Sequence, residues 1–283
     1  MATLITALSL GSLYSLITIN FLFNYSVFRY INFALLGYIM IVPYLMSELA
    51  KNQASIIIYL LSLIAVYALL FVISYFVSTF LLENLKNVSS ELKIIGSVSI
   101  FSIIFTLVSL IWPNDVLYET PLDGKTFTIF GSEIAMIDIF SILVTVIVLF
   151  SIVYFFRKTQ NGIVIRAYSV DSEIAKAYGA STKKIRIFVH LATAFLCLIS
   201  GTLLSAPGAP RAGVKSLIFF SLVAIAAVIC ARHVNYIIGV VAAFIIATTQ
   251  VFILRYLKEV NDFANKILSI GPLDGKIDLG PNF

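Results

Sequence analysis

The polar stretch around which this chain is organised is residues 157–191, RKTQNGIVIRAYSVDSEIAKAYGASTKKIRIFVHL. It interrupts an otherwise mostly apolar sequence, and it holds seven of the nineteen Lys and Arg residues beside only two acids. Asp171 can cap a helix N-terminus, because its carboxylate accepts from the first free backbone N–H groups. Gly179 can end that helix, since a helix end often needs positive φ. The stretch therefore predicts a short helix over 172–178 in a basic loop.

Composition places the rest of the chain in a membrane. Its 283 residues are 60% hydrophobic and only 12% charged, with a mean hydropathy of +1.04. Soluble domains carry about 25% charged residues. The net charge of +5 comes from cations gathered in a few loops, which is typical of membrane topology signals and does not indicate nucleic-acid binding. We predict an all-α, polytopic membrane helical bundle.

The apolar runs predict seven or eight membrane segments, because a crossing needs about 20 apolar residues. The run 217–231 is only fifteen residues long, and it fits a re-entrant segment. We assign a transmembrane domain to 1–254 and a polar C-terminal tail to 255–283. The predicted spans are 4–23, 30–46, 55–82, 94–112, 134–156, 187–205 and 236–254.

Charge counting predicts the sidedness. With the 157–191 loop in the cytoplasm, 14 of the 19 cations lie inside if 217–231 is re-entrant, and 11 if it crosses. The rule therefore favours the re-entrant version, although the tail's side depends on this one segment. Both versions place the N-terminus outside.

The sequence carries no sign of catalysis. Cys197 and Cys230 lie in apolar runs without metal-type spacing, and no P-loop is present. Asp138 is the nearest carboxylate to a span interior, which disfavours proton-driven transport. We expect that the chain is not an enzyme, holds no metal and binds no cofactor.

Three regions resemble permeases of branched-chain amino acid ABC importers. The first comprises LGSLYSL at 10–16 and YINFA at 30–34. The second is the basic loop, where Glu173, Ala175, Gly179 and Leu191 match the family pattern and Ile174 departs from it. The third comprises Ser200-Gly201 and the GVK at 213–215. Departures include Leu35-Leu36-Gly37 after the Asn-Phe-Ala segment and the polar tail from 255.

The resemblance implies a multi-pass subunit of a bacterial plasma (inner) membrane importer. Its partners would be two ABC ATPase subunits, which bind the ATP, a second permease chain and an extracytoplasmic solute-binding protein. The resemblance implies an ATPase-coupling loop containing Asp171, Glu173, Ala175, Gly179 and Leu191. It also suggests a translocation path containing Asn32, Phe33, Ala34 and Gly201. Asn32 fits an interhelical hydrogen bond equally well.

Low charge along the spans indicates a small, neutral or zwitterionic solute, and branched-chain amino acids fit. Three alternatives stay open. The chain can be a same-family permease for urea, a nucleoside or a sugar. It can be a non-transporting membrane scaffold whose solute path has degenerated. The basic loop can also be a plain cytoplasmic connection whose helix only turns the chain.

Overall fold

Helices make up nearly all of the chain that the computed structural model describes, namely residues 2–49, 56–79, 89–112, 126–129, 132–177, 179–204, 214–232 and 235–268. This confirms the all-α polytopic bundle. The described helices and strands are α1 (Ala2–Phe28), α2 (Ala34–Leu49), α3 (Ile56–Val77), α4 (Ser90–Ile111), β1 (Thr126–Ile129), β2 (Ser132–Ala135), α5 (Met136–Lys158), α6 (Gln160–Val170), α7 (Ser172–Ala177), α8 (Thr182–Leu204), α9 (Val214–Cys230) and α10 (Tyr236–Leu268).

Eight of the described helices are apolar enough to form the membrane bundle. Six have the length and hydropathy of a membrane crossing: α1, α3, α4, α5, α8 and α10. The other two, α2 and α9, are apolar but shorter, with 16 and 17 residues. A 17-residue helix is about 26 Å long at 1.5 Å per residue, close to the thickness of the hydrocarbon core.

Helix α1 is the centre of the bundle. In its most apolar window 78% of the residues are buried, against 17% in α3 and in α4. Helices α5, α8, α9 and α10 pack around it, and α8 in turn packs on α2 and α3. Small residues allow this close contact. Gly11 lies against the ring of Phe244, and a Cβ on Gly239 would lie 2.8 Å from a methyl carbon of Leu22.

Helix α9 crosses the bundle and is not re-entrant. Phe220, near its start, packs on Tyr14 with ring centroids 5.3 Å apart, while Ala231, just after its end, lies beside Gly239. Helix α10 then returns antiparallel to α1, because Tyr236 bonds Ser26 and Gln250 accepts from Tyr14. The contacts therefore overrule the charge count, and the end of α10 lies on the side opposite the α6–α7 loop.

Three local features differ from the sequence predictions. The segment between α4 and α5 contains a β-hairpin, in which Thr126 pairs with Ala135. The basic loop contains an additional helix, α6. Helix α10 continues to Leu268, so the predicted boundary at 254 falls inside a helix. The sequence explains this continuation, since no Gly or Pro occurs between 240 and 270.

Candidate functional site

The turn between α5 and α6 is held by a cap and a glycine. The Thr159 hydroxyl accepts from the backbone N–H of Gly162 at 3.1 Å and so caps the start of α6. A side chain at Gly162 would collide with the carbonyl of Phe155. Only glycine lets α6 fold back this closely on the end of α5. Ile165 of α6 is then buried in the core.

Helix α7 has the predicted caps at both ends. The Asp171 Oδ1 atom accepts from the Ile174 N–H at 3.0 Å. At the other end Gly179 has a φ of +86°. Its N–H donates to Lys176 and that of Ala180 donates to Ala175, both at 2.9 Å. This pair of bonds is the Schellman motif. The predicted last residue, 178, lies outside the described residues.

Helix α7 turns Ala175 inwards and Ile174 outwards. Ala175 is 7% exposed and faces its own chain, whereas Ile174 is 58% exposed. Val170, at the end of α6, is 77% exposed. The accessible apolar surface of the loop is therefore formed by Val170 and Ile174. The Glu173 side chain lies outside the described part of the structure.

An open groove of about 730 Å³ runs beneath these residues, between α6, α7 and the start of α8. Its walls combine apolar groups from α6 with the first turn of α8, where Lys184 supplies a positive charge. Asp171 also lines the groove, which therefore carries one charged side chain of each sign. Its lining includes Asn161, Val164, Ala167, Val170, Ile174 and Lys184.

The α6–α7 loop is fastened to the bundle. The Arg29 guanidinium, just after α1, donates to the Ser169 hydroxyl at 3.1 Å. Leu191, the last matched position of the loop, lies within α8, and its carbonyl accepts from the Tyr67 hydroxyl at 3.2 Å. Leu191 therefore joins α8 to α3 within the bundle and does not contribute to the surface of α7.

The residues suggested for a translocation path lie along α2. Asn32 Oδ1 accepts from the Ala34 N–H at 3.1 Å, which caps α2, and the Phe33 N–H donates to the Ser97 hydroxyl at 3.0 Å. Gly201 belongs to α8 and packs against the middle of α2, where a Cβ on it would come within 2.7 Å of the Ile39 carbonyl. The structure brings Asn32, Phe33 and Ala34 together at one helix start and uses Gly201 to seat α8 on α2.

Sequence reasoning missed a row of buried polar side chains on α1. Towards α5, the Ser9 hydroxyl donates to Asp138 at 2.6 Å. Towards α8, Asn24 Nδ2 lies 3.2 Å from the Thr193 hydroxyl oxygen, and Asn20 Nδ2 lies 3.3 Å from Cys197 Sγ. The signal was available, since amides four residues apart in a membrane helix indicate a polar interface.

Two atoms in this polar region have no partner among the described residues: Asn20 Oδ1 and His190 Nε2. The other ring nitrogen of His190 lies 2.7 Å from the Ser74 hydroxyl, and the ring stacks on Phe28. No group of three His, Cys, Asp or Glu suited to a metal occurs in the described parts of the chain. Asn20 Oδ1 and His190 Nε2 are therefore buried polar atoms whose hydrogen bonds no described residue supplies.

Comparison with known proteins gives one match. A family model described as "Branched-chain amino acid transport system / permease component" matches residues 3–270. No curated protein and no solved structure matches the chain.

Proposed function

Since the chain belongs to the family of branched-chain amino acid transport permease components, we propose that it is the membrane-spanning permease subunit of an ABC importer. Such a subunit carries solute through the membrane, and a transport permease family is not an enzyme family. Its partners would be ATPase subunits, which bind the ATP, together with a second permease chain and an extracytoplasmic binding protein.

One observation carries this proposal: α7 is a capped helix that presents Ile174 beside an open groove. Both caps restrict α7 to one conformation, so docking would not need to order it. A partner that covers Ile174 and Val170 would gain about 1.5–3 kcal/mol of hydrophobic stabilisation for each side chain that it buries fully. We assign the ATPase contact to this surface.

The attachment of the α6–α7 loop to the helix bundle supports a route by which motion of the ATPase reaches the membrane. Helix α6 contacts α1 through the bond between Arg29 and Ser169, and α8 continues directly from the loop into the bundle. A displacement of α7 would move the ends of both helices. Because α1 and α8 share the Asn24–Thr193 contact, their relative movement would alter the polar interface of the bundle.

The proposed solute is small and neutral or zwitterionic, with branched-chain amino acids as the first choice. Amide and hydroxyl groups dominate the buried polar side chains of the described helices. An anion would need a cation at that depth, and none is among those buried groups. The path would run along the α1, α2 and α8 interfaces, which contain Asn20, Asn32 and Gly201.

ATP-dependent uptake tests the proposal. The complete transporter, with its ATPase and binding protein, would be reconstituted into vesicles and supplied with radiolabelled leucine. We expect uptake that requires internal ATP and that isoleucine and valine reduce by competition. Association with the ATPase without uptake of leucine would exclude this solute. Failure to associate with any ATPase subunit would favour a scaffold over a permease.

A further inference from the structure

A second cavity lies where the ends of α1, α5 and α10 meet α6, on the side of the α6–α7 loop. Its volume is about 270 Å³. It is separate from the groove beside α7, because the two share none of the lining residues that the structure describes. Its polar lining comes from Arg157, Arg166, Ser26, Asn235 and Tyr236.

The cavity is electropositive. Arg157 and Arg166 both line it, and none of the described lining residues is an Asp or Glu. Neither guanidinium forms an ion pair within the described parts of the chain. Arginine presents a planar set of donors that matches the oxygens of a phosphate. Two such groups beside one cavity therefore indicate a phosphate-type anion.

The start of α10 adds to this preference. Asn235 caps the helix, and its Oδ1 accepts from the N–H groups of Ile237 and Ile238 at 3.1 and 3.3 Å. With Oδ1 engaged, the Asn235 Nδ2 group can donate to an anion. The positive end of the helix dipole also lies at this position. The Tyr236 hydroxyl is held by Ser26 at 2.9 Å, which fixes the cavity wall.

The depth of the cavity matches a lipid headgroup. Arg157 lies in the last turn of α5, and Tyr236 is the first residue of α10, so both mark the end of a membrane span. Val153 and Ile237 continue the wall towards the hydrocarbon layer. Helices α5 and α10 both pack on α1, and they contact each other at the cavity through the stacked rings of Phe156 and Tyr236, whose centroids are 5.7 Å apart.

Exposed apolar side chains continue along both helices beyond the cavity. On α5 these are Phe150 and Tyr154, 70% and 66% exposed, and on α10 they include Val241. Such surfaces suit acyl chains. Phospholipids of the cytoplasmic leaflet are often anionic, and each nearby cation attracts them.

We propose that this cavity binds the phosphate of an anionic phospholipid from the cytoplasmic leaflet. Arg157 and Arg166 contact the phosphate, Asn235 donates to it, and the acyl chains lie along the exposed apolar side chains of α5 and α10. The site lies beside the start of α6, so a bound lipid also braces the α6–α7 loop against the bundle. Lipid binding is measured without transport, so failure of this proposal and failure of the importer proposal are distinguishable.

The test is a titration of the purified full-length chain in detergent, read by native mass spectrometry. The probes are phosphatidylglycerol, zwitterionic phosphatidylcholine and inorganic phosphate. We expect one tightly held phosphatidylglycerol. Arg157→Gln and Arg166→Gln should each weaken it by about tenfold, since each removes one charge-assisted contact. The matched control is Lys158→Gln, which removes the same charge from an exposed neighbour outside the cavity lining and should change affinity little.

Several results would overturn the proposal. Equal weakening by Lys158→Gln would mean diffuse surface charge, and equal binding of both lipids would mean no anionic preference. Binding of inorganic phosphate without binding of phosphatidylglycerol would assign the cavity to a soluble anion. Arg166→Lys keeps the charge and serves if the Gln variant unfolds, which thermal unfolding in the same detergent would reveal. Partial retention of lipid by Arg166→Lys would support the site. Unchanged lipid binding by Arg157→Gln would contradict it.

Discussion

Ile174 donates its backbone N–H to Asp171 Oδ1 at 3.0 Å, and this bond caps the start of α7. Ile174 projects from the surface, and Ala175, the next residue, turns towards α6 and α8. The two neighbours therefore have different roles. Ile174 is available to a partner, and Ala175 holds the helix against its own chain.

The exposed position predicts a docking defect without a folding defect. Ile174→Glu places a charge where the proposed ATPase contact is apolar, so ATPase co-purification should fall by about tenfold or more. Ile163→Glu is the matched control, because Ile163 is also exposed on this loop but does not line the groove. Equal loss in both variants would indicate a general charge effect.

The buried position predicts a folding defect of the loop. Ala175→Trp cannot fit against the chain that covers Ala175, and overpacking costs about 1–3 kcal/mol. Limited proteolysis should therefore cut between α6 and α8 in this variant, while the amount of protein in the membrane stays normal. Ala175→Ser is the conservative control and should remain protected. A protease-resistant Ala175→Trp protein that still loses the ATPase would instead place position 175 in the contact itself.

The end of α7 predicts a backbone effect at Gly179. A β-branched side chain at a φ of +86° is strained, so Gly179→Val should cost about 1 kcal/mol or more and loosen α7. Gly179→Asn should be milder, since Asn tolerates this conformation. A Cβ would meet no atom within 4 Å, so the effect is conformational and not steric. Hydrogen exchange at the amides of 174–180 measures it, and equal exchange in both variants would contradict the assignment.

The direction of α9 predicts the side of the C-terminal region. In a background lacking Cys197 and Cys230, a membrane-impermeant thiol reagent applied outside should label Asp262→Cys and leave Lys183→Cys unlabelled. Helix α10 ends on the side opposite the loop, whereas Lys183 lies in the first turn of α8 on the loop side. Thr120→Cys, between α4 and α5, serves as the external control. An unlabelled position 262 together with a labelled position 120 would restore the re-entrant arrangement.

The contact between α8 and α2 predicts sensitivity at Gly201. A Cβ there would lie 2.5 Å from Val42 Cβ, so Gly201→Val should push the helices apart and destabilise the protein by about 1–3 kcal/mol. Thr202→Ala is the neighbouring control, because Thr202 is only half-buried and its hydroxyl donates to carbonyls of its own helix. Thermal unfolding in detergent compares the two, and equal midpoints would show that the interface can adjust.

Local interactions explain why the sequence predicted much of this protein. Apolar runs of about 20 residues form helices in a membrane whatever their neighbours, because their backbone groups must be satisfied internally. The caps at Asp171 and Gly179 act within a few residues of their own positions, so their chemistry was predictable. The short helix between them followed from the same local rules.

Contacts between distant segments decided the rest. Which face of α7 is exposed depends on how it docks against α6 and α8, and the direction of α9 depends on its packing along α1. The cavity joins Arg157 and Arg166 to Asn235, about 70 residues away, because α5, α6 and α10 converge on one end of α1. Composition and spacing determined that this chain forms membrane helices with a capped loop helix. Only tertiary packing decided which side chains meet, because a helix alone does not fix the face it presents to its neighbours.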